Sequence, residues 1–191
     1  MTPLAEAVRD ALVPPRCAGC GRPGAWFCIA CRDACEPSRA RLPAGPALVA
    51  CGAHEGPLRA AIHALKYREE RALSCELGAL VASRVAADLA VGIRLDVVAP
   101  VPLHPARRRM RGYDQAALLA EVVGEATGLP VREALRRIRH SRPQVELDRA
   151  HRAASVRGAF VTEAGALRGL RVALVDDVAT TGATLAEAAR T

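Results

Sequence analysis

Aromatic residues make up only 3% of this 191-residue sequence, and lysine occurs once, at Lys66. No apolar run reaches the ~20 residues that a membrane-spanning helix requires. The N-terminus carries Glu6 and Asp10 and lacks the apolar centre of a secretory signal. These absences argue against a membrane partner and against export, so we expect the chain in the cytoplasm. Its seven cysteines are then thiols or metal ligands rather than disulfides.

The chain is rich in apolar and basic residues. Apolar residues account for 51% of the chain, and with so few aromatics Ala, Val and Leu must do most of the packing. The formal net charge is +7, nearly all of the positive charge being arginine, which favours anionic partners such as phosphates or nucleic acid. Genomic base composition that enriches Ala and Arg together also accounts for part of this excess. The length suits one ordinary domain with a small appendage.

Near the C-terminus, a strand, two acids, a loop and a helix start follow one another. The apolar run Val172–Val175 predicts a strand buried on both faces, followed by Asp176 and Asp177. A helix begins near Leu185, so free N–H groups and the positive end of its dipole would face an anion bound by the loop. The loop residues are Val178, Ala179, Thr180, Thr181, Gly182, Ala183 and Thr184. Since no lysine follows the glycine, this is not a Walker sequence, and a ribose 5-phosphate fits it better than a nucleoside triphosphate.

This stretch resembles the phosphoribosyl-pyrophosphate (PRPP) motif of the type I phosphoribosyltransferases. The resemblance implies that Asp176 and Asp177 are catalytic acids that hold the ribose hydroxyls, and that residues 178–184 bind the phosphate. The alternative is an ordinary strand that ends in a capped turn, with Asp and Thr present only as turn formers.

Four cysteines form two CxxC pairs near the N-terminus: Cys17, Cys20, Cys28 and Cys31. Two such pairs can supply the four thiolates that structural Zn²⁺ prefers, although the seven-residue spacer is shorter than usual. The alternatives are a redox CxxC or scattered thiols. Cys35 is a spare or substitute ligand, whereas Cys51 and Cys75 are expected to be buried small residues.

A second candidate anion site follows the strand predicted over residues 96–102. Its residues are Val101, Pro102, Arg107, Arg108, Arg109, Arg111 and Gly112. The segment 104–112 is predicted to be a glycine-terminated loop. It is either a solvated basic loop or a flexible arm whose guanidinium groups close over pyrophosphate.

The other segments complete an α/β pattern. Helices are predicted from Pro57 to Tyr67, from Leu73 to Leu89 and from Tyr113 to Gly128, with strands near residues 48–54 and 157–162 and an ambiguous segment at 131–138.

With these segments placed, the chain resembles the ComF family, the competence-protein F relatives of the phosphoribosyltransferases. The matching features are the cysteine pairs, Glu55-Gly-Pro-Leu58 with Leu65-Lys-Tyr67, Val101-Pro-Leu-His-Pro105 with Arg111-Gly-Tyr-Asp-Gln115, Arg142-x-Gln144 with Arg157-Gly-Ala-Phe160, and the PRPP-type motif. The resemblance implies an α/β fold, namely a type I phosphoribosyltransferase-like parallel sheet flanked by helices, with a small N-terminal zinc-knuckle module. Residues 1–46 would be the zinc-binding module and linker, and residues 47–191 the phosphoribosyltransferase-like domain. Since such a sheet normally continues with at least one more strand, we expect this domain to be C-terminally truncated.

The resemblance implies functions of two classes. One is PRPP or sugar-phosphate binding, with Mg²⁺ bound alongside PRPP, linked to DNA uptake in natural transformation; single-stranded DNA and a DNA-uptake helicase would be partners. The other is an active phosphoribosyltransferase of nucleotide metabolism, with pyrophosphate as leaving group. We find no segment rich enough in aromatics to stack on a nucleobase acceptor, which favours the first class.

Overall fold

The computed structural model describes residues 14–42, 45–139 and 156–191. The predicted features at Arg142 and Gln144, and the N-terminal residues 1–13, lie outside the described part. Within it, the helices are α1 (Ile29–Asp33), α2 (Gly56–Tyr67), α3 (Leu73–Ala90), α4 (Pro105–Arg111), α5 (Gln115–Thr127) and α6 (Ala183–Arg190). The strands are β1 (Ser38–Arg41), β2 (Ala47–Ala50), β3 (Val97–Pro100), β4 (Leu135–Arg137), β5 (Phe160–Thr162) and β6 (Val172–Val175).

A parallel pair of strands lies at the centre of the structure. Strand β3 runs parallel to β6, with Val97 opposite Val172 and Pro100 opposite Val175. On its other side β3 forms a parallel bridge between Val98 and Val131. Every residue of β3 is buried, as its apolar sequence predicts. The predicted mixed fold with a parallel sheet is therefore confirmed, and the carboxyl ends of β3 and β6 lie at the same edge.

Strand β6 is less buried than its sequence predicts. Only Val175 is buried, and Val172, Ala173 and Leu174 are half-buried. Among the described strands β6 pairs with β3 alone, and a cavity of about 1090 Å³ opens beside it, lined in part by Leu48 and Leu77. The prediction of burial on both faces was wrong because an apolar run does not reveal whether both faces of its strand are covered.

The remaining strands form two antiparallel pairs, β1 with β2 and β4 with β5. The segment 131–138, ambiguous from sequence, thus contributes the bridge at Val131 and strand β4. Helix α3 packs closely on α5, since a Cβ added to Gly78 would lie 2.6 Å from the Cβ of Val122. Cys75, expected to be buried, is exposed on α3, so that expectation was wrong.

The segment 104–112, predicted as a loop, contains the short helix α4. His104 Nδ1 accepts a hydrogen bond from the Ala106 N–H at 3.2 Å, and Pro105 occupies the first turn. Gly112 ends the helix with φ = +79°, in the left-handed region that favours glycine. His104, Pro105 and Gly112 are all helix signals present in the sequence, but the run of arginines led to the prediction of a loop.

Two hydrophobic clusters form the core. The first joins Cys17, Phe27 and Cys31 to α2, α3, α5 and the sheet. The second joins Leu42 to β4, β5 and α6, and includes Phe160. None of the helices in the described ranges combines the length and apolarity that crossing a membrane requires.

Candidate functional site

The four predicted zinc ligands converge. The Sγ atoms of Cys17 and Cys31 are 3.7 Å apart, those of Cys20 and Cys28 are 3.6 Å apart, and all four lie within 4.8 Å of one another. A tetrahedron of thiolates at a Zn–S distance of about 2.3 Å has edges of about 3.8 Å. The cluster can therefore hold a metal such as zinc, as the two CxxC pairs predict.

The surroundings of the cluster suit thiolates. The Cys28 N–H donates to Cys17 Sγ at 3.3 Å. Although burial opposes ionisation, N–H donors from Cys28 and Cys20 are among those that lower the pKa of Cys17 to about 6. Burial and the neighbouring thiols raise the pKa of Cys31. Four adjacent thiols therefore cannot ionise independently, whereas a bound cation would stabilise all four thiolates together.

The neighbours of the cluster show how it is held. Phe27 is 1% exposed and belongs to the same hydrophobic cluster as Cys17 and Cys31, and Trp26 packs against that cluster. Cys35 lies outside the four-sulfur group, and its thiol donates to the carbonyl oxygen of Cys31 at 3.3 Å.

A second group of charged side chains lies where β3 and β6 end. Asp176 and Asp177 directly follow β6, and the Asp177 N–H donates to Asp176 Oδ1 at 2.8 Å. The ammonium group of Lys66, from the last turn of α2, forms an ion pair with Asp177 Oδ2. The side chains of Lys66 and Asp177 are only 16% and 6% exposed. Asp177 Oδ2 has no aligned hydrogen bond in the described structure, so this contact is electrostatic.

The pKa values in this group show how closely the charges interact. Although the side chain of Asp176 is half-exposed, the protein atoms around it raise its pKa to about 7, against the opposing effects of Lys66 and Arg137. Burial likewise lowers the pKa of Lys66 to about 8; Asp176 opposes this effect, whereas Arg111 and Arg107 add to it. Four cationic side chains thus lie around the two carboxylates that follow β6, and Asp114 is a third carboxylate near Asp176.

Hydrogen bonds hold α4 beside this group. Asp114 Oδ2 accepts from the Leu103 N–H at 2.7 Å, and Asp114 Oδ1 accepts from the Ala116 N–H at 3.1 Å. The Tyr113 hydroxyl donates to the carbonyl oxygen of Leu65, next to Lys66. The Tyr113 hydrogen bond therefore holds the turn between α4 and α5 against the end of α2.

The predicted phosphate loop leads into α6. Gly182 has φ = +71° and precedes the first residue of α6, Ala183, whose N–H donates to Thr181 Oγ1 at 3.4 Å. A Cβ added to Gly182 would lie 2.1 Å from Cδ2 of Leu42, the residue that follows β1. Both the backbone conformation and this contact therefore require glycine.

We expect Gly182→Ala to destabilise the fold more than Gly165→Ala does. Both glycines have positive φ, but a Cβ on Gly165 would have no neighbour within 4 Å. The clash with Leu42 should add about 1–3 kcal/mol to the loss of unfolding free energy, as measured by urea denaturation. Adding Leu42→Ala should remove most of this difference between the two glycine variants; if the difference persists, the contact with Leu42 is not its cause.

The structure brings together some of the predicted anion-binding residues and separates others. Arg107 and Arg111 lie close enough to Lys66 to lower its pKa. Arg108 instead forms an exposed ion pair with Glu133 at 3.7 Å, and Arg109 is exposed. Sequence reasoning missed three members of the charged group: Lys66, Arg137 and Asp114. Lys66 and Asp114 did have a signal, since both lie in segments that carry the family resemblance, and Lys66 is also the single lysine of the chain.

Comparison with known proteins finds relatives over most of the chain. It is 30% identical over 189 residues to a protein of Salmonella typhimurium named DNA utilization protein YhgH, covering 97% of this chain and 80% of the relative. It is 29% identical over 178 residues to a protein of Haemophilus influenzae named Competence protein F, covering 91% of this chain and 76% of the relative. Neither a protein-family model nor a solved structure matches.

Proposed function

Because the chain belongs to the ComF family, we propose that it binds PRPP or a related sugar phosphate and acts in DNA uptake during natural transformation. The observation that carries the sugar-phosphate part is the meeting of Lys66, Asp176 and Asp177, with Arg107 and Arg111 nearby, at the carboxyl ends of two parallel strands. Ligands of open α/β sheets bind at that edge.

The group offers complementary partners for each part of such a ligand. The carboxylates of Asp176 and Asp177 would accept hydrogen bonds from ribose hydroxyls. The loop 178–184 and the start of α6 would hold the 5-phosphate through backbone N–H groups and threonine hydroxyls. Arg107 and Arg111 would hold the pyrophosphate, together with the segment from Val101 to Gly112 that positions them. Mg²⁺, bound with PRPP, would neutralise part of the pyrophosphate charge.

Lys66 would gain a second partner when such a ligand binds. In the free protein it pairs with Asp177, while the charges of Arg107 and Arg111 oppose its own. A bound pyrophosphate would relieve the repulsion among these cations and give Lys66 a second anion to contact. The ion pair thus keeps the carboxylate neutralised until the ligand arrives.

We further propose that residues 1–46 are a zinc-binding module and that residues 47–191 are the phosphoribosyltransferase-like domain. The packing of Cys17, Phe27 and Cys31 in one cluster with α2 supports a structural rather than catalytic metal.

The link to DNA rests on the names of the relatives, DNA utilization protein and Competence protein F, and on charge. With a net charge of +7, the surface can attract a phosphate backbone directly or contact a helicase that carries the strand. The alternative function, an active phosphoribosyltransferase of nucleotide metabolism, predicts release of pyrophosphate when PRPP–Mg²⁺ is incubated with a nitrogen nucleophile.

The arginines of α4 provide a matched test of the sugar-phosphate proposal. In calorimetric titrations with PRPP–Mg²⁺, Arg107→Gln with Arg111→Gln should weaken affinity at least tenfold, because each removes a charge-assisted contact near Lys66. Arg108→Gln with Arg109→Gln removes the same charge from the outer side of α4 and should leave PRPP affinity within about twofold. Equal losses in both variants would mean that net charge alone attracts the ligand. Absence of binding by the wild type would reject the proposal.

A further inference from the structure

The exposed surface of α2 carries rings in a chain that has very few. Tyr67 is 68% exposed, although the chain has only two tyrosines. His54 and His63 are also exposed. Large exposed rings that lie singly need no explanation, but these lie together. They are called here the ring surface, defined as His54, His63 and Tyr67.

The geometry of α2 lines these rings up. His63 and Tyr67 are four residues apart, hence on one face of the helix, and their ring centroids are 5.3 Å apart in an edge-to-face arrangement. The His54 ring lies 6.1 Å from that of His63, with only 30° between the ring planes. Arg59 precedes His63 by one further turn, so Arg59, His63 and Tyr67 form a stripe of about 12 Å along the helix.

Cations border the ring surface. The guanidinium carbon of Arg111 lies 5.4 Å from the centroid of the Tyr67 ring. Burial, together with the charges of Lys66, His63 and Arg59, lowers the pKa of His54, which keeps its ring uncharged near neutral pH. The stripe therefore has rings in its middle and arginines at both ends.

We propose that the ring surface binds single-stranded DNA by stacking bases on His63 and Tyr67 while Arg59 and Arg111 contact the flanking phosphates. Exposed rings interleaved with cations are the combination by which proteins hold single strands without sequence preference. At the ~3.4 Å spacing of stacked bases, the stripe has room for roughly three nucleotides. A duplex, whose bases are already stacked on one another, cannot present its base faces to these rings.

This inference rests on the proposed role in DNA uptake and refines it, because net charge alone predicts purely electrostatic binding. The two modes differ in what they require of the strand. Electrostatic binding needs only phosphates, and its affinity depends on salt through the counterions released. Stacking also needs bases, and removing a ring changes affinity without changing the salt dependence.

The test uses fluorescence anisotropy of a labelled thymidine oligonucleotide and of an abasic strand of the same length. Tyr67→Ala should weaken binding to the thymidine strand roughly five- to hundredfold, with an unchanged salt slope. Tyr67→Phe keeps the ring and should bind like the wild type. Tyr67→Ala should change affinity for PRPP–Mg²⁺ much less than affinity for the thymidine strand, since Tyr67 reaches that ligand only through Arg111. The wild type should also prefer the thymidine strand to the abasic strand.

The outcomes separate this inference from the function on which it rests. Equal binding of thymidine and abasic strands would overturn stacking and leave electrostatic DNA binding in place. Stacking would also be overturned if Tyr67→Ala bound the thymidine strand like the wild type while thermal unfolding showed an intact fold. If no strand binds the wild type at low salt, direct DNA binding is wrong, whatever the PRPP titration gives.

Discussion

Removing the metal from the four-cysteine cluster is expected to unfold the N-terminal part of the described structure and to destabilise the rest of it. Structural zinc contributes about 10–16 kcal/mol in small zinc-binding peptides, comparable to the total unfolding free energy of about 5–15 kcal/mol for a whole domain. Protein purified without chelator should contain one zinc per chain by mass spectrometry. A strong chelator should then lower the thermal midpoint measured by circular dichroism.

The effect should not remain local, because the cluster and the candidate sugar-phosphate site share a helix. Gly19, between the first two ligands, packs on Pro57 at the start of α2, and Lys66 lies in the last turn of the same helix. Cys17 and Cys31 are buried in the hydrophobic cluster to which α2 contributes Leu65. Loss of the metal would therefore loosen the element that positions Lys66, so PRPP affinity should fall together with zinc content.

Cysteine substitutions provide the matched control for the zinc prediction. Cys31→Ser removes a buried predicted ligand and should abolish stoichiometric zinc. Cys75→Ser removes an exposed thiol on α3, outside the four-sulfur group, and should retain both zinc and stability. Zinc-free wild-type protein with a normal thermal midpoint would contradict the prediction. Equal zinc content in the Cys31→Ser and Cys75→Ser variants would also contradict it.

The sequence predicted those elements whose signals are local and unambiguous. Strand β6 was predicted with its observed bounds, because four apolar residues are followed at once by two acids. Helix α2 was predicted within a residue at either end, because a proline in its first turn and an apolar face mark it. The four-cysteine cluster was predicted from spacing, since a CxxC pair forces two sulfurs to one side of a tight turn.

What the sequence could not give was long-range placement. Lys66 is 111 positions from Asp177 in the chain, and nothing local shows that the last turn of α2 meets the end of β6. The exposure of β6 depends on what lies beside the strand, which an apolar run does not encode. The ring surface is partly local, because His63 and Tyr67 are four residues apart on α2, but the contact of Arg111 with Tyr67 depends on the fold.

Replacing both acids after β6, Asp176→Ala with Asp177→Ala, is expected to weaken PRPP binding by at least a hundredfold. Each carboxylate would lose a charge-assisted hydrogen bond of about 1.5–3 kcal/mol to a ribose hydroxyl, and each 1.4 kcal/mol is a factor of ten in affinity. Calorimetry should be run between the raised pKa of Asp176, about 7, and the lowered pKa of Lys66, about 8, so that the wild-type carboxylate and ammonium are both mostly charged. Glu121→Ala with Glu125→Ala makes the same charge change at two exposed positions of α5 and should leave PRPP affinity unchanged.

The double variant also removes the partner of Lys66, which leaves a largely buried ammonium unpaired and costs stability. Adding Lys66→Met should restore much of that stability, because a neutral side chain of similar length needs no counterion. It should not restore binding, since the carboxylates proposed to hold the ribose are still missing. A folded triple variant that binds PRPP as tightly as the wild type would show that Asp176 and Asp177 are turn residues with no part in the site. A folded triple variant without detectable binding, beside a Lys66→Met single variant that still binds PRPP, would assign the ribose hydroxyls to this pair.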